Sequence, residues 1–411
     1  MSPRSPLANS AFRAVWLASV FSFIGTWVQD VGESWTMLSM TPDPRFVAML
    51  ATCFLVPTMV LTLPAGLLAD RADRRRLLIL SESLSALAAA GPAIAIRLHH
   101  MSPVVLLACS GALGAAVAIG APAWTTLVPE LLPREKTAEA VTLGSIAFNI
   151  ARVAGPAIGG VLLAATGAEI TFIVNAVSFL AVVWVLWRYD EVKVASARPR
   201  ETERAPLLHA FAEPFRESWR TPELRGAFLS SIAFGVSAMI IMAILPAFAK
   251  HALGASATGY GALLSSLGGG AILCGVFLVR VRSRLGPRMT VIVGMSVFGA
   301  SVLFASRAAH VPGAMPFFLA SGLGWIACFT TLSATVQLVA REATKSRVTA
   351  LYQLAFYASA IVGASLGGAI AARWGERTAV AVGALGCLCA AGVTLRSFSI
   401  GAHVLAPDPA E

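Results

Sequence analysis

Charge is what this sequence has least of. Only 13% of its 411 residues are Asp, Glu, Lys or Arg, against 57% hydrophobic residues. A soluble domain carries about 25% charge, so a chain of this length could fill a core but lacks the polar surface to coat it for water. Histidine is also scarce: the six, His99, His100, His209, His251, His310 and His403, all fall in loops or tails. There is no His-Glu metal pair, no Ser/His/Asp constellation in facing spans and no nucleotide-binding loop. These gaps argue against an enzyme and against an ATP-driven pump, and no cofactor or metal is expected. The six cysteines, Cys53, Cys109, Cys274, Cys328, Cys387 and Cys389, lie in apolar runs without metal-site spacing. They read as small buried hydrophobes, not as a disulfide framework. No cleavable leader is expected, because residues 1–11 are short and polar and the first apolar run is too long for one.

What the chain has is apolar length, with a mean hydropathy of +0.76. Several stretches run to ~20 residues with few or no charges, enough to cross a ~30 Å hydrocarbon core as a helix. The runs are continuous and do not alternate, which predicts helices and not a barrel. Twelve spans are expected, near 13–38, 46–69, 77–97, 103–128, 138–164, 168–187, 226–249, 258–279, 289–307, 313–338, 348–371 and 377–397. The longest polar segment divides them six and six. The expected fold is therefore an all-α membrane protein with twelve transmembrane helices in two six-helix bundles, 1–188 and 226–411, joined by a linker, 189–225. In that linker Leu208, Phe211, Phe215 and Trp219 recur at helical spacing. The pattern suits an amphipathic helix lying on the membrane surface, or a plain connector between the halves.

The net charge of +10 would suit a nucleic-acid partner, but its distribution does not. With the N-terminus in the cytoplasm, twenty-four of the 31 Lys and Arg residues sort to cytoplasmic segments. That bias predicts both termini and residues 189–225 on the cytoplasmic side of a bacterial inner membrane, and no nucleic acid as partner.

The halves resemble each other. Gly155-Pro-Ala-Ile-Gly-Gly160 matches Gly363-Ala-Ser-Leu-Gly-Gly368, and Gly66 with Arg71 matches Gly275 with Arg280 at nearly the same offset. Duplicated halves with a site between them are common in secondary transporters. One position breaks the pattern, since Val279 stands where the first half has Asp70.

Three motifs carry a family resemblance. Pro64-Ala-Gly-Leu-Leu-Ala-Asp-Arg-Ala-Asp-Arg-Arg-Arg76 resembles the loop between helices two and three of the major facilitator superfamily. Gly155-Pro156 with Gly159-Gly160 is similar to that superfamily's antiporter motif in helix five. Gly25-Thr-Trp-Val-Gln-Asp-Val-Gly-Glu-Ser-Trp35 resembles the first helix of its transmembrane secretion effector branch, which includes siderophore and macrolide exporters. The resemblance covers essentially the whole chain. It implies a secondary transporter, expected to be a proton-coupled exporter of a drug, siderophore or other amphiphile, acting as a monomer among membrane lipids. Lysolipid or lipid movement, uptake in place of efflux, and a non-transporting receptor or scaffold remain alternatives. The resemblance also implies a gating role for Gly66, Asp70, Arg71, Arg74 and Arg75, with Asp70 at the end of helix two facing the positive end of helix eleven. The arginines serve equally well as topology signals.

Polar residues inside the spans mark candidate chemistry. Ser19, Ser22, Thr26, Gln29, Asp30 and Glu33 recur every three or four residues on span one,. Carboxylates in a span are costly and point into the bundle or a wet cavity. Span five carries Thr142, Ser145, Asn149, Arg152, Pro156 and Gly159. Arg152 is expected near the depth of Asp30, and with Glu33 these two are the candidate proton-coupling set. A coupling pair and a fixed structural ion pair both fit. Glu33 also fits a solvated helix end. Gly155-Pro156 is expected to thin helix five. Thr26, Trp27, Gln29, Trp124, Asn149, Tyr352, Gln353 and Tyr357 are the candidate substrate-cavity residues.

Overall fold

The structure is a computed structural model that describes residues 6–189 and 207–398; of Leu67, Asp70, Arg71, Thr126, Val128–Glu130, Arg134 and 207–211 only the backbone is described. Long helices dominate, each opened by a local signal. Asn9 accepts from the Phe12 N–H ahead of α1 (Ser10–Met40), and Asp43 caps α2 (Pro44–Arg71), where Pro44 opens the helix,. Asp73 accepts from the Arg76 N–H to start α3 (Arg74–Arg97). α4 (Pro103–Glu130), α5 (Thr137–Thr166) and α6 (Ala168–Arg188) complete the first half. A short α7 (Leu207–Arg220) follows, then α8 (Pro222–Ala247), α9 (Ala257–Ala305), α10 (Val311–Val339), α11 (Lys345–Trp374) and α12 (Glu376–Ser397). Eleven helices among the described residues are long and apolar enough to cross a membrane. Two of the twelve expected spans, 258–279 and 289–307, are joined in α9 and broken only at Gly286, where φ is 74° ahead of Pro287. Only glycine adopts that backbone freely, and the proline cannot continue the helix hydrogen bonding.

The chain divides into two compact units: Met1–Thr202 with Gly254–Ser265, and Glu203–Leu253 with Ser266–Glu411. The start of α9 thus belongs with the first unit, and α7 belongs with the second. In the first unit α1 packs on α5 and α6, α2 on α4, and α3 on α4 and α6. In the second, α8 packs on α11 and α12. The duplication read from the glycines is visible in the packing. Gly155 of α5 lies against Ile24 and Trp27 of α1, and Gly363 of α11 lies against Val236 and Met239 of α8. One turn on, Gly159 meets Val28, and Gly367 meets Ile240. Each half then turns on one glycine: Gly167 at φ 86° between α5 and α6, and Gly375 at φ 84° between α11 and α12. Large apolar side chains such as Leu87, Trp184 and Val60 remain on the surface, as suits a protein solvated by lipid.

Candidate functional site

The polar stripe of α1 faces two environments. Thr26 and Asp30 are exposed, whereas Gln29 and Glu33 are buried, with Glu33 8% exposed. Glu33 is therefore not a solvated helix end. Its Oε1 accepts a 2.6 Å hydrogen bond from Gln29 Nε2, one turn earlier. Gln29 Oε1 accepts in turn from Asn175 Nδ2 of α6 at 2.7 Å, and Asn175 Oδ1 accepts from Ser178 Oγ at 3.1 Å. The Gln29 and Asn175 amides both donate toward the carboxylate, the arrangement that favours a negative end, while the Ser178 hydroxyl is shared with the Asn175 main-chain carbonyl at 2.8 Å,. Small residues on α1 make room for it. A methyl group at Gly25 would stand 2.5 Å from Ser178 Oγ, and one at Gly32 would collide with Thr171. Asn175 and Ser178 were not singled out from sequence, although Thr171, Asn175 and Ser178 recur at one-face helical spacing in an otherwise apolar run.

Arg152 is buried in α5. The glycine contacts set the register of the two helices. Gly159 is level with Val28 to Val31, hence with Asp30, while Arg152 lies seven residues earlier. At 1.5 Å per residue the two stand ~10 Å apart along the axis. Equal depth, expected from the sequence, is thus corrected: depth along each helix was countable, but the offset between helices is fixed by which glycine meets which side chain.

The other candidates separate between the units. In the first, Trp27 packs over Gly155, Asn149 donates back to the Ser145 carbonyl at 2.8 Å, and Trp124 packs on the apolar cluster of Val15, Leu78 and Leu127. Tyr260, unnoticed in the sequence, stacks on Trp35 with ring centroids 6.3 Å apart. In the second, Tyr352 is buried edge-to-face with Phe228, Gln353 is exposed and Tyr357 is half-buried.

At the loop motif, Arg75 Nε donates to the Leu186 carbonyl at 2.7 Å and Nη2 to the Trp187 carbonyl at 2.9 Å. It caps the last turn of α6, whose free carbonyls and dipole favour a cation. Arg74 is half-buried at the first position of α3. Among the described residues nothing lies within 4 Å of a methyl built on Gly66. Close backbone approach is made instead at Gly160, against Ala257 and Thr258 of α9, and at Gly261, against Pro156. The side chains of Asp70 and Arg71 lie outside the described residues.

Two units of packed apolar helices, duplicated glycine contacts and a buried polar stripe define a multi-pass membrane transporter of the major facilitator type. The chain belongs to the transmembrane secretion effector family, whose model matches residues 1–402. It is 26% identical to the staphyloferrin A transporter of Staphylococcus aureus over 288 residues, 70% of this chain and 71% of that one. It is 24% identical to the multidrug efflux pump Tap of Mycolicibacterium fortuitum over 375 residues, 90% of each chain. In fold it matches a bacterial homologue of the human lysosomal transporter Spinster, with TM-score 0.77 and 14% identity, covering 95% of this chain and 97% of that chain.

Proposed function

We propose that the protein is a proton-coupled exporter of an amphiphilic small molecule, a drug, a siderophore or a related secondary metabolite. It works by alternating access of two six-helix units. It acts as a monomer in a bacterial inner membrane, with both termini and residues 189–225 in the cytoplasm, as the charge bias favours. Its partners are the substrate, protons and lipids. The multidrug efflux relative supports the direction, and it and the staphyloferrin A transporter support the substrate class.

The observation that carries the coupling is the buried Glu33 at the end of its directed hydrogen-bond chain. Without a proton it is a membrane carboxylate stabilised by fixed donors; with one it is a neutral acid in apolar surroundings. Asp30, exposed on the adjoining face, and Arg152 in α5 complete the candidate set. Asp70, Arg71, Arg74 and Arg75 act with the Gly155-Pro156 and Gly159-Gly160 contacts as the parts that differ between states. A transport screen in an efflux-deficient host, followed by flux in proteoliposomes with and without an uncoupler, tests the reading. Uphill export abolished by the uncoupler is expected; export indifferent to it would remove proton coupling, and no net flux of any candidate would remove export.

A further inference from the structure

The first unit holds another membrane carboxyl, on α3. Glu82 lies one turn after Leu78 and one turn before Ala86. Leu78 belongs to a buried cluster with Ala123, Leu127, Val182 and Leu186. Ala86 belongs to a second, with Leu113, Ala176 and Phe179. Glu82 shares their helix face, so it falls between two apolar clusters that join α3 to α4 and α6. Its Oε2 is buried and has no hydrogen-bond partner among the described residues. The adjacent hydroxyl, Ser81 Oγ, donates to the Ala116 carbonyl at 2.8 Å.

Among the described residues no cation hydrogen-bonds to this Oε2. Residues 103–129 of α4 and 170–187 of α6 contain no Asp, Glu, Lys, Arg or His. On α3 itself, Arg74 and Arg97 lie eight and fifteen residues away, ~12 Å and ~22 Å along the axis. Arg75 caps α6, Arg76 pairs with Asp73, and Arg97 pairs with Glu169. On α1 the charged groups are Arg13, bonded to the Leu7 carbonyl, and Asp30 and Glu33, which are themselves acids. A bare carboxylate at this position would leave Oε2 desolvated without a partner among the described residues, a cost that a neutral acid largely avoids,.

We infer that Glu82 is a second proton-carrying carboxyl of the first unit, the inner counterpart of Glu33. The inference rests on the proton-coupled reading above. In that topology Glu82 lies ~12 Å from the cytoplasmic end of α3, and Glu33 ~10 Å from the outer end of α1. The two acids thus stand toward opposite sides of one unit. Asn175 and Ser178, which tie Glu33 to α6, flank Ala176 and Phe179, which pack beside Ala86. Each acid gains a proton as neutral –COOH and releases it as H⁺, so no further reactant is needed.

The test uses the full-length protein in lipid. Infrared difference spectra of wild type against Glu82→Gln, recorded at pH 7, read the state of this one group. The carbonyl stretch of a neutral carboxylic acid, shifted by D₂O, is expected in the difference. Carboxylate bands in its place would overturn the inference. Transport gives the second readout. With a pH difference of about one unit and no membrane potential, each coupled proton is worth a factor of about ten in substrate gradient. Glu82→Gln, which mimics the neutral acid in shape, is expected to keep downhill exchange and lose about tenfold in limiting gradient, with Glu82→Asp restoring part of it. An unchanged gradient in Glu82→Gln would also overturn the inference. Failure of wild type to export uphill would instead sink the proton-coupled reading, and the infrared spectrum would still decide the state of Glu82.

Discussion

The Glu217 carboxylate accepts a 2.5 Å hydrogen bond from the Thr344 hydroxyl and so ties α7 to the turn between α10 and α11. The same carboxylate accepts from the Arg341 backbone N–H at 3.0 Å, and the Arg341 guanidinium reaches Glu213 at 2.7 Å. The linker helix is thus held by its polar side, with Phe215 and Trp219 stacked on each other at the surface. Burial pushes the Glu217 carboxyl up, but the Thr344 hydroxyl and the Arg341 N–H and guanidinium outweigh it and hold the group below its ordinary value of 4.5. A carboxyl depressed in the folded state stabilises above its ordinary value, and that stability is lost as pH falls through the lower folded value. Glu217→Gln should therefore loosen α7 at pH 7, by about 1–3 kcal/mol for a charged hydrogen bond. Hydrogen exchange of the α7 amides checks this. Faster exchange in the variant, and in wild type only below pH 4.5, is expected; equal protection would show that α7 is held by other contacts.

Arg75 separates two uses of a basic loop. A topology signal needs only positive charge, whereas a helix cap with two donors on successive carbonyls needs the planar guanidinium,. Arg75→Ala should lower stability by about 1–2 kcal/mol through loss of the α6 cap. Arg75→Lys should recover insertion but not the full stability. Thermal unfolding in detergent makes the comparison, and full recovery by lysine would leave Arg75 as a charge alone.

The glycines predict opposite outcomes at different sites. A methyl group at Gly363 would collide with the Val236 carbonyl and stand 2.9 Å from Met239 Cβ, while one at Gly66 meets nothing. Gly66→Ala should be neutral or stabilising, by up to about 1 kcal/mol from helix propensity. Gly363→Ala should force α8 and α11 apart and cost about 1–3 kcal/mol as overpacking. Unfolding midpoints of the two variants give the answer, and a destabilised Gly66→Ala would mean that a neighbour reaches Gly66 in another state.

What the sequence made legible follows from the range of each interaction. Apolar spans depend on composition over ~20 residues, and the duplicated glycines recur in order, so the helices and the repeat could be read from one dimension. The Gly286-Pro287 break was legible only as a short polar gap, because it interrupts the helix without a loop. The site was less legible. Asp30 and Glu33 stand three residues apart, yet one is exposed and the other buried. That difference depends on where α6 packs, through Gly25 and Gly32. The Arg152 offset likewise depends on a register between helices that no single helix encodes. Glu82 was readable as one carboxyl in a span, but that its Oε2 finds no partner among the described residues depends on how α4 and α6 pack on α3.

Glu33 and its donors give the sharpest test of coupling. The chain from Asn175 through Gln29 ends on the carboxylate. Glu33→Gln keeps the shape and places an amide where the neutral acid would be. It should fold, bind substrate and exchange it, yet lose about tenfold or more in the gradient it can reach. Asn175→Leu leaves Glu33 intact but removes the donor that orients Gln29. Loss of one buried hydrogen bond beside a charged group, about 1.5–3 kcal/mol, corresponds to roughly 10- to 100-fold in the equilibrium it supports. Uphill transport should fall accordingly in Asn175→Leu while downhill exchange is kept. The competing assignment puts coupling on Asp30 with Arg152. The charge-neutral pair Asp30→Asn, Arg152→Gln decides between them, because removing both members strands no buried charge. With Glu33 as the coupling acid, that double variant still exports uphill in an uncoupler-sensitive manner. Exchange without accumulation in the double variant, together with normal accumulation in Glu33→Gln, would transfer the role to Asp30 and reduce the α1–α6 chain to packing.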